Sequence, residues 1–193
     1  MNKILISKFY LIIFLSFPVL ANYPLIEPID YNLPECEFKN NKVVTKTKCL
    51  GELKNYLGYE NTNFFGEIEN GIPNGNGYLS AEIFEYWGSF VEGRVEGYGT
   101  MSIPQDDYTY YGDFKNNRRT GFGVDLDKAN GKYIGEYKDD QREGNGKYIA
   151  MEESAIYDEK WEQNKIVDSK VDYSGFREFD TGIGMKFNHA GHL

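Results

Sequence analysis

The chain has 193 residues, 16% of them aromatic, and carries a formal net charge of −9. That length suits one domain of ordinary size. An acidic balance of this kind argues against nucleic-acid binding, which needs a basic patch to neutralise phosphates.

At the N-terminus Lys3 and Lys8 precede the apolar run FYLIIFLSFPVLA, residues 9–21. The run is shorter than the roughly 20 residues that span a bilayer, and Ser16 and Pro18 weaken it. Val19 and Ala21 are small residues of the kind a signal peptidase accepts. Residues 1–21 therefore read as a cleaved export signal, which places the mature chain in the periplasm or outside the cell if the source is bacterial. The alternative is an uncleaved anchor beginning at Ile4, with Lys8 held inside the span. Cleavage would remove two lysines and lower the formal charge from −9 to −11.

Residues 22–48 form an N-terminal cap segment. In an oxidising compartment Cys36 and Cys49 read as a structural disulfide, worth about 3 kcal/mol in the loop-entropy account. Neither cysteine has a histidine or a second cysteine at metal-ligand spacing.

From residue 64 onward the chain repeats. Four units align: NFFGEIENGIPNGNG, EYWGSFVEGRVEGYG, YYGDFKNNRRTGFG and KYIGEYKDDQREGNG. Their marker glycines are Gly66, Gly88, Gly112 and Gly135, spaced by 22, 24 and 23 residues. A Gly-x-Gly follows in each, as Gly75 and Gly77, Gly97 and Gly99, Gly121 and Gly123, Gly144 and Gly146, with the same spacings. Two markers in step identify a true repeat.

Each unit opens on an alternating strand in which residues i, i+2 and i+4 share a face. Tyr110, Gly112 and Phe114 point one way, as do Tyr86, Gly88 and Phe90, and Tyr133, Gly135 and Tyr137. Phe64 belongs to the same aromatic face. Asp113, Lys115, Glu136 and Lys138 fall on the opposite side, which predicts one wet face. The central glycine leaves a gap that a neighbouring ring can lie across. A polar turn and a second strand complete an antiparallel hairpin, and Asn130-Gly131 predicts a type I′ turn between units. A decayed fifth unit, YDEKWEQN, keeps Tyr157 and Trp161 but has Glu159 in place of the glycine.

These units resemble MORN repeats, whose pattern is Tyr-x-Gly-x-Phe/Tyr, a polar stretch, Gly-x-Gly and a second strand. The resemblance covers residues 49 to 164, with Ile68 where an aromatic is usual and Asn117 where Gly71 and Gly93 supply a mid-unit glycine. It implies an all-β fold: an elongated, curved, single-layer antiparallel sheet of successive hairpins, held by ring stacking between neighbours. The array is assigned to residues 49–165, and residues 166–193 to a C-terminal segment that caps the sheet or extends as a tail.

No catalytic constellation stands out. His189 and His192 lie in the last five residues. Asp106-Asp107 and Asp139-Asp140 fall in turns, where aspartate stabilises the turn itself. DLDKANG, residues 125–131, lacks the closing glutamate of a calcium loop. No cofactor and no metal site is expected. The expected function is that of a non-catalytic exported scaffold binding a protein or itself through the aromatic face or a sheet edge. The face is formed by Phe64, Tyr86, Phe90, Tyr110, Phe114, Tyr133, Tyr137, Tyr157 and Trp161. A second reading is association with anionic lipid through Arg94, Arg118, Arg119 and Arg142, a link that MORN proteins share, and a remote one is an enzyme of unknown class.

Overall fold

A computed structural model describes residues 27–150 and 155–172. The expected export signal, the two histidines and the segment from residue 173 lie outside the described residues. Two short strands, β1 (Phe38–Lys39) and β2 (Lys42–Val43), pair in a small hairpin before the main sheet. The sheet then runs from β3 (Cys49–Leu53) through β4 (Asn63–Glu69), β5 (Ile72–Ser80), β6 (Glu85–Val91), β7 (Arg94–Ile103) and β8 (Tyr108–Lys115). It continues with β9 (Arg118–Asp127), β10 (Gly131–Lys138), β11 (Gln141–Ala150), β12 (Ile156–Glu162) and β13 (Lys165–Val171). All eleven strands are antiparallel and lie in chain order, each beside its sequence neighbours. The sheet thus runs past the expected array end at residue 165, and the decayed unit forms a full hairpin, β12–β13.

The marker glycines fall into one row across the sheet. Gly51, Gly66, Gly77, Gly88, Gly99, Gly112, Gly123, Gly135 and Gly146 are successive cross-strand partners, and the row ends at Glu159. Without side chains the strands leave a trench, and the aromatic of each first strand lies down in it. A Cβ on Gly146 would come 2.5 Å from Tyr133 Cζ, and one on Gly123 2.6 Å from Tyr110 Cζ. At Gly51 the atom above the glycine is instead Cys36 Sγ. Cys36 and Cys49 are bonded with Cα atoms 5.0 Å apart, and the Cys36 amide donates to Leu50 O while the Leu50 amide donates to Pro34 O. The disulfide thereby covers the first edge of the sheet, where an unpaired strand would otherwise be exposed.

Every hairpin β4–β5 to β12–β13 closes on a two-residue turn with both central residues at positive φ, the type I′ geometry that matches strand twist. The pairs are Asn70-Gly71, Glu92-Gly93, Asn116-Asn117, Asp139-Asp140 and Gln163-Asn164. Asn130-Gly131, predicted to form such a turn, does not: Asn130 keeps negative φ, and the connection is a loop organised by Asp127, whose Oδ1 accepts from the Ala129 and Asn130 amides. The aspartate offers a competing local acceptor that the dipeptide signal ignores. Past each bulge the strands re-enter register, with the first glycine of Gly-x-Gly in the left-handed region at Gly97, Gly121 and Gly144.

The predicted wet face also needs correction. Phe65, Tyr78, Trp87, Thr100, Tyr111, Val124 and Ile134 form a continuous cross-strand row on the side opposite the trench. A one-layer sheet has no covering layer, so apolar side chains flank the strand centres on both sides through the middle hairpins, and this row turns polar at its ends, with Glu52 beside Phe65 and Lys147 and Asp158 beyond Ile134.

Candidate functional site

On the trench side the rings form one zigzag of edge-to-face contacts. Centroid separations run 5.0 Å for Phe64–Phe90, 5.3 Å for Phe90–Tyr86, 5.2 Å for Tyr86–Phe114 and 5.2 Å for Phe114–Tyr110. The chain goes on through Tyr110–Tyr137 at 5.1 Å, Tyr137–Tyr133 at 5.6 Å and Tyr133–Trp161 at 5.7 Å. Such pairs add about 0.5–1.5 kcal/mol each beyond burial, so the ladder is the core of the array.

That packing changes the role of the expected binding residues. Phe64, Tyr86, Phe90, Tyr110, Phe114, Tyr133, Tyr137 and Trp161 are at most 8% exposed. A partner could not reach these rings without opening the sheet. Tyr157 is half-buried beside Tyr148, with centroids 6.4 Å apart. The accessible surface of this face is the layer above the ladder.

That layer is built from the residue two places past each turn: Pro73, Val95, Arg119, Arg142 and Ile166. In the first two repeats it is apolar, and Tyr56 adds to the cover by packing 6.2 Å from Phe64 and donating to Gly93 O at 3.1 Å. In the third and fourth it is arginine. Arg119 lies over Tyr110 and Tyr137 at 5.5 and 5.2 Å, and Arg142 over Tyr133 and Trp161 at 4.2 and 4.9 Å. The long side chain covers the ring while its head stays hydrogen-bonded.

Of the four turn arginines singled out in the sequence, only these two enter the face. Arg94 and Arg118 stay outside, beside Glu92 at 3.2 Å and Asp139 at 3.8 Å. Arg119 donates to Tyr108 Oη at 2.6 Å and pairs with Asp140 at 3.4 Å. Arg142 donates to both Asp125 carboxylate oxygens at 3.1 Å, and Tyr137 also donates to Asp125.

Asp125 is the residue that sequence reading missed. It is 3% exposed and occupies the row that carries Leu79, Met101 and Tyr148 in the other hairpins. Asp127 follows on the same face of β9, where alternation calls for an apolar residue. The signal was legible: in GFGVDLD both aspartates sit in the register of the trench. With Met101, Ile103, Tyr108 and Asp106 they line a groove of about 640 Å³ between the Asp140 and Asn164 turns and the Asp127–Asn130 loop. Asp107, beside it, pairs with Lys128 at 2.9 Å. Among the described residues, no group of three His, Cys, Asp or Glu side chains is placed to hold a metal ion.

The turns also lock successive hairpins together. Asn117 donates its amide to Val95 O at 3.0 Å and accepts the Val95 amide on Oδ1 at 2.8 Å. Asp140 repeats this with Arg119, and Asn164 with Arg142. Asn117→Ala is expected to lose about 1–2 kcal/mol, from the missing acceptor and the positive φ. Asn117→Gly should lose less, and urea melts of the two variants separate the clamp from the backbone term.

Burial raises the tyrosines of this face: Tyr108 is pushed up to about 12 even with Arg119 beside it, and Tyr86, Tyr110, Tyr133 and Tyr137 also lie above their usual value. Above pH 10 the unfolded chain loses phenolic protons that the folded chain keeps, so stability present below pH 10 falls as pH rises towards 12. Ultraviolet titration should show part of the phenolate signal appearing only with unfolding. Smooth ionisation of every tyrosine near pH 10 in the folded chain would contradict the buried ladder.

No curated protein matches the chain. The MORN repeat model matches residues 64–80, 86–108, 110–124 and 133–150. These stretches fall on the four hairpins from β4 to β11, and the match stops before β12, where Glu159 replaces the trench glycine. The chain therefore carries four MORN repeats, one in each of those hairpins.

Proposed function

We propose that this protein is an exported, non-catalytic scaffold that binds a protein partner across its aromatic face, at the groove between β7 and β11. MORN repeats are in general modules for interaction with proteins or membranes, of a non-catalytic scaffold type. The observation that carries the reading is the groove itself: its apolar base is Met101, Ile103, Tyr108 and the ladder ring Tyr137, and its walls are polar side chains on turns and loops. Concave sites with an apolar base and a few fixed polar groups are where partners bind. Export rests on the N-terminal run and on the bonded cysteines.

The four turn arginines all have acidic neighbours, which weakens a pull towards anionic lipid. Ala129 is exposed at the groove wall, so Ala129→Trp should block the groove and leave the ladder intact. Affinity capture with the wild-type chain and this variant tests the reading. A specific protein lost by the variant, at unchanged melting temperature, supports it. Equal capture by both removes the groove from consideration. Salt-sensitive co-sedimentation with anionic vesicles, equal for both chains, would favour membrane association instead. N-terminal sequencing of the native protein should begin after Ala21 if the signal is cleaved.

A further inference from the structure

The groove departs from the repeat pattern in a way that packing alone does not call for. At the level of β9 the alternation places aspartate, twice, where the other hairpins use apolar side chains. Sequences break a local rule of this kind chiefly where function requires it. The charges do not cancel. Arg142 is matched by Asp125 and Arg119 by Asp140, whereas Asp106 and Asp127 line the same groove with no cation within ion-pair distance among the described residues, Arg142 acting on Asp127 only from farther off. Asp127 is held in its charged form: the Asn130 side-chain amide, the loop amides and, last, the charge of Arg142 keep its carboxyl below the usual range. Ile103, Tyr108 and Asp127 are cross-strand neighbours on one face, so an apolar and aromatic shelf leads directly to that carboxylate.

Resting on the scaffold reading above, we infer that the groove recognises a lysine or arginine side chain on an extended segment of the partner protein. The alkyl stem lies along Ile103 and Tyr108, and the cationic head sits between Asp106 and Asp127. A long cationic side chain fits because its two ends match the two halves of the site, one apolar and one anionic. The guanidiniums of Arg119 and Arg142 close the far side and repel a cation placed elsewhere on the ladder, which fixes the position of the head. An acidic segment would instead meet two unmatched carboxylates, and like charges brought together in this way are strongly disfavoured.

The test uses the full chain and fluorescein-labelled decapeptides of alternating Lys-Ser, Glu-Ser and Leu-Ser, with anisotropy as the readout. The Lys-Ser peptide should bind, and an Asp106→Asn/Asp127→Asn variant should weaken it roughly tenfold or more. Asparagine keeps the Oδ1 acceptor for the Ala129 and Asn130 backbone amides and gives up the Oδ2 contact with the Asn130 side chain, and near-UV circular dichroism reports that the ladder is intact. Glu52→Gln/Glu60→Gln removes the same charge at exposed positions far along the chain from the groove and should change affinity less than about twofold. Equal weakening in both variants would mean a general attraction to an acidic protein and would overturn the proposal, as would no binding of the Lys-Ser peptide. Groove-dependent binding of the Leu-Ser or Glu-Ser peptide instead would overturn it and leave the scaffold reading in place, which the Ala129→Trp capture judges separately.

Discussion

Gly135→Ala is expected to destabilise the array by about 3 kcal/mol, a large penalty for one added methyl group. The new Cβ would stand 2.6 Å from Tyr133 Cζ and 2.7 Å from the Gly146 Cα. The ring has nowhere to retreat. Its edges meet Tyr137 and Trp161, and Arg142 lies 4.2 Å from its centroid. Parting the backbones would instead break the β10–β11 ladder. Gly135 has ordinary extended geometry, so the loss reports sterics and not backbone strain. Gly58→Ala is the contrast: nothing lies within 4 Å of its Cβ, and its φ of +81° costs on the order of 1 kcal/mol. Urea denaturation ranks the two. Because each hairpin touches only its neighbours, hydrogen exchange in the Gly135 variant should rise first in β10 and β11. Equal, small losses for both alanines would mean that the rings do not lie in the glycine trench.

The second large effect concerns the buried ion pair. Arg142→Val should lose about 3 kcal/mol, because Asp125, 3% exposed, would be left with the Tyr137 hydroxyl in place of its buried partner. The double variant Asp125→Leu/Arg142→Val transplants the pair Leu79 and Val95, which hold the corresponding places on β5 and β7. It should return to within about 1 kcal/mol of wild type, since a well-packed apolar pair replaces a desolvated one. Chemical denaturation of all four corners of the cycle gives the coupling directly. A double variant as unstable as the sum of its parts would show that the two side chains do not act as a unit. A rescued double variant that no longer binds the Lys-Ser peptide would show that the charged pair is kept for recognition.

The amino-acid sequence by itself determined the hairpins, their order and their common aromatic side. Two glycine markers in step are sufficient, because strand alternation puts residues at even spacing on one face whatever lies beyond. The cysteine pair was equally legible, being the two cysteines of a chain read as exported. What only the tertiary structure decided is which of those aromatic residues remain available to a partner. Period-two spacing assigns a face, yet burial depends on the neighbour two strands away, and it turned Tyr110 and its equivalents from a contact surface into core. The same holds for the turns. Asn117 reads as a lost glycine, but its amide and side chain grip Val95 across the preceding hairpin, a contact between residues far apart along the chain. Arg119 and Arg142 stand two places past their turns and Arg94 and Arg118 one place, so alternation puts the first two on the ring side and the others opposite. The position of each turn is fixed by how the strands pair, so which arginine covers a ring is decided only once the sheet has formed.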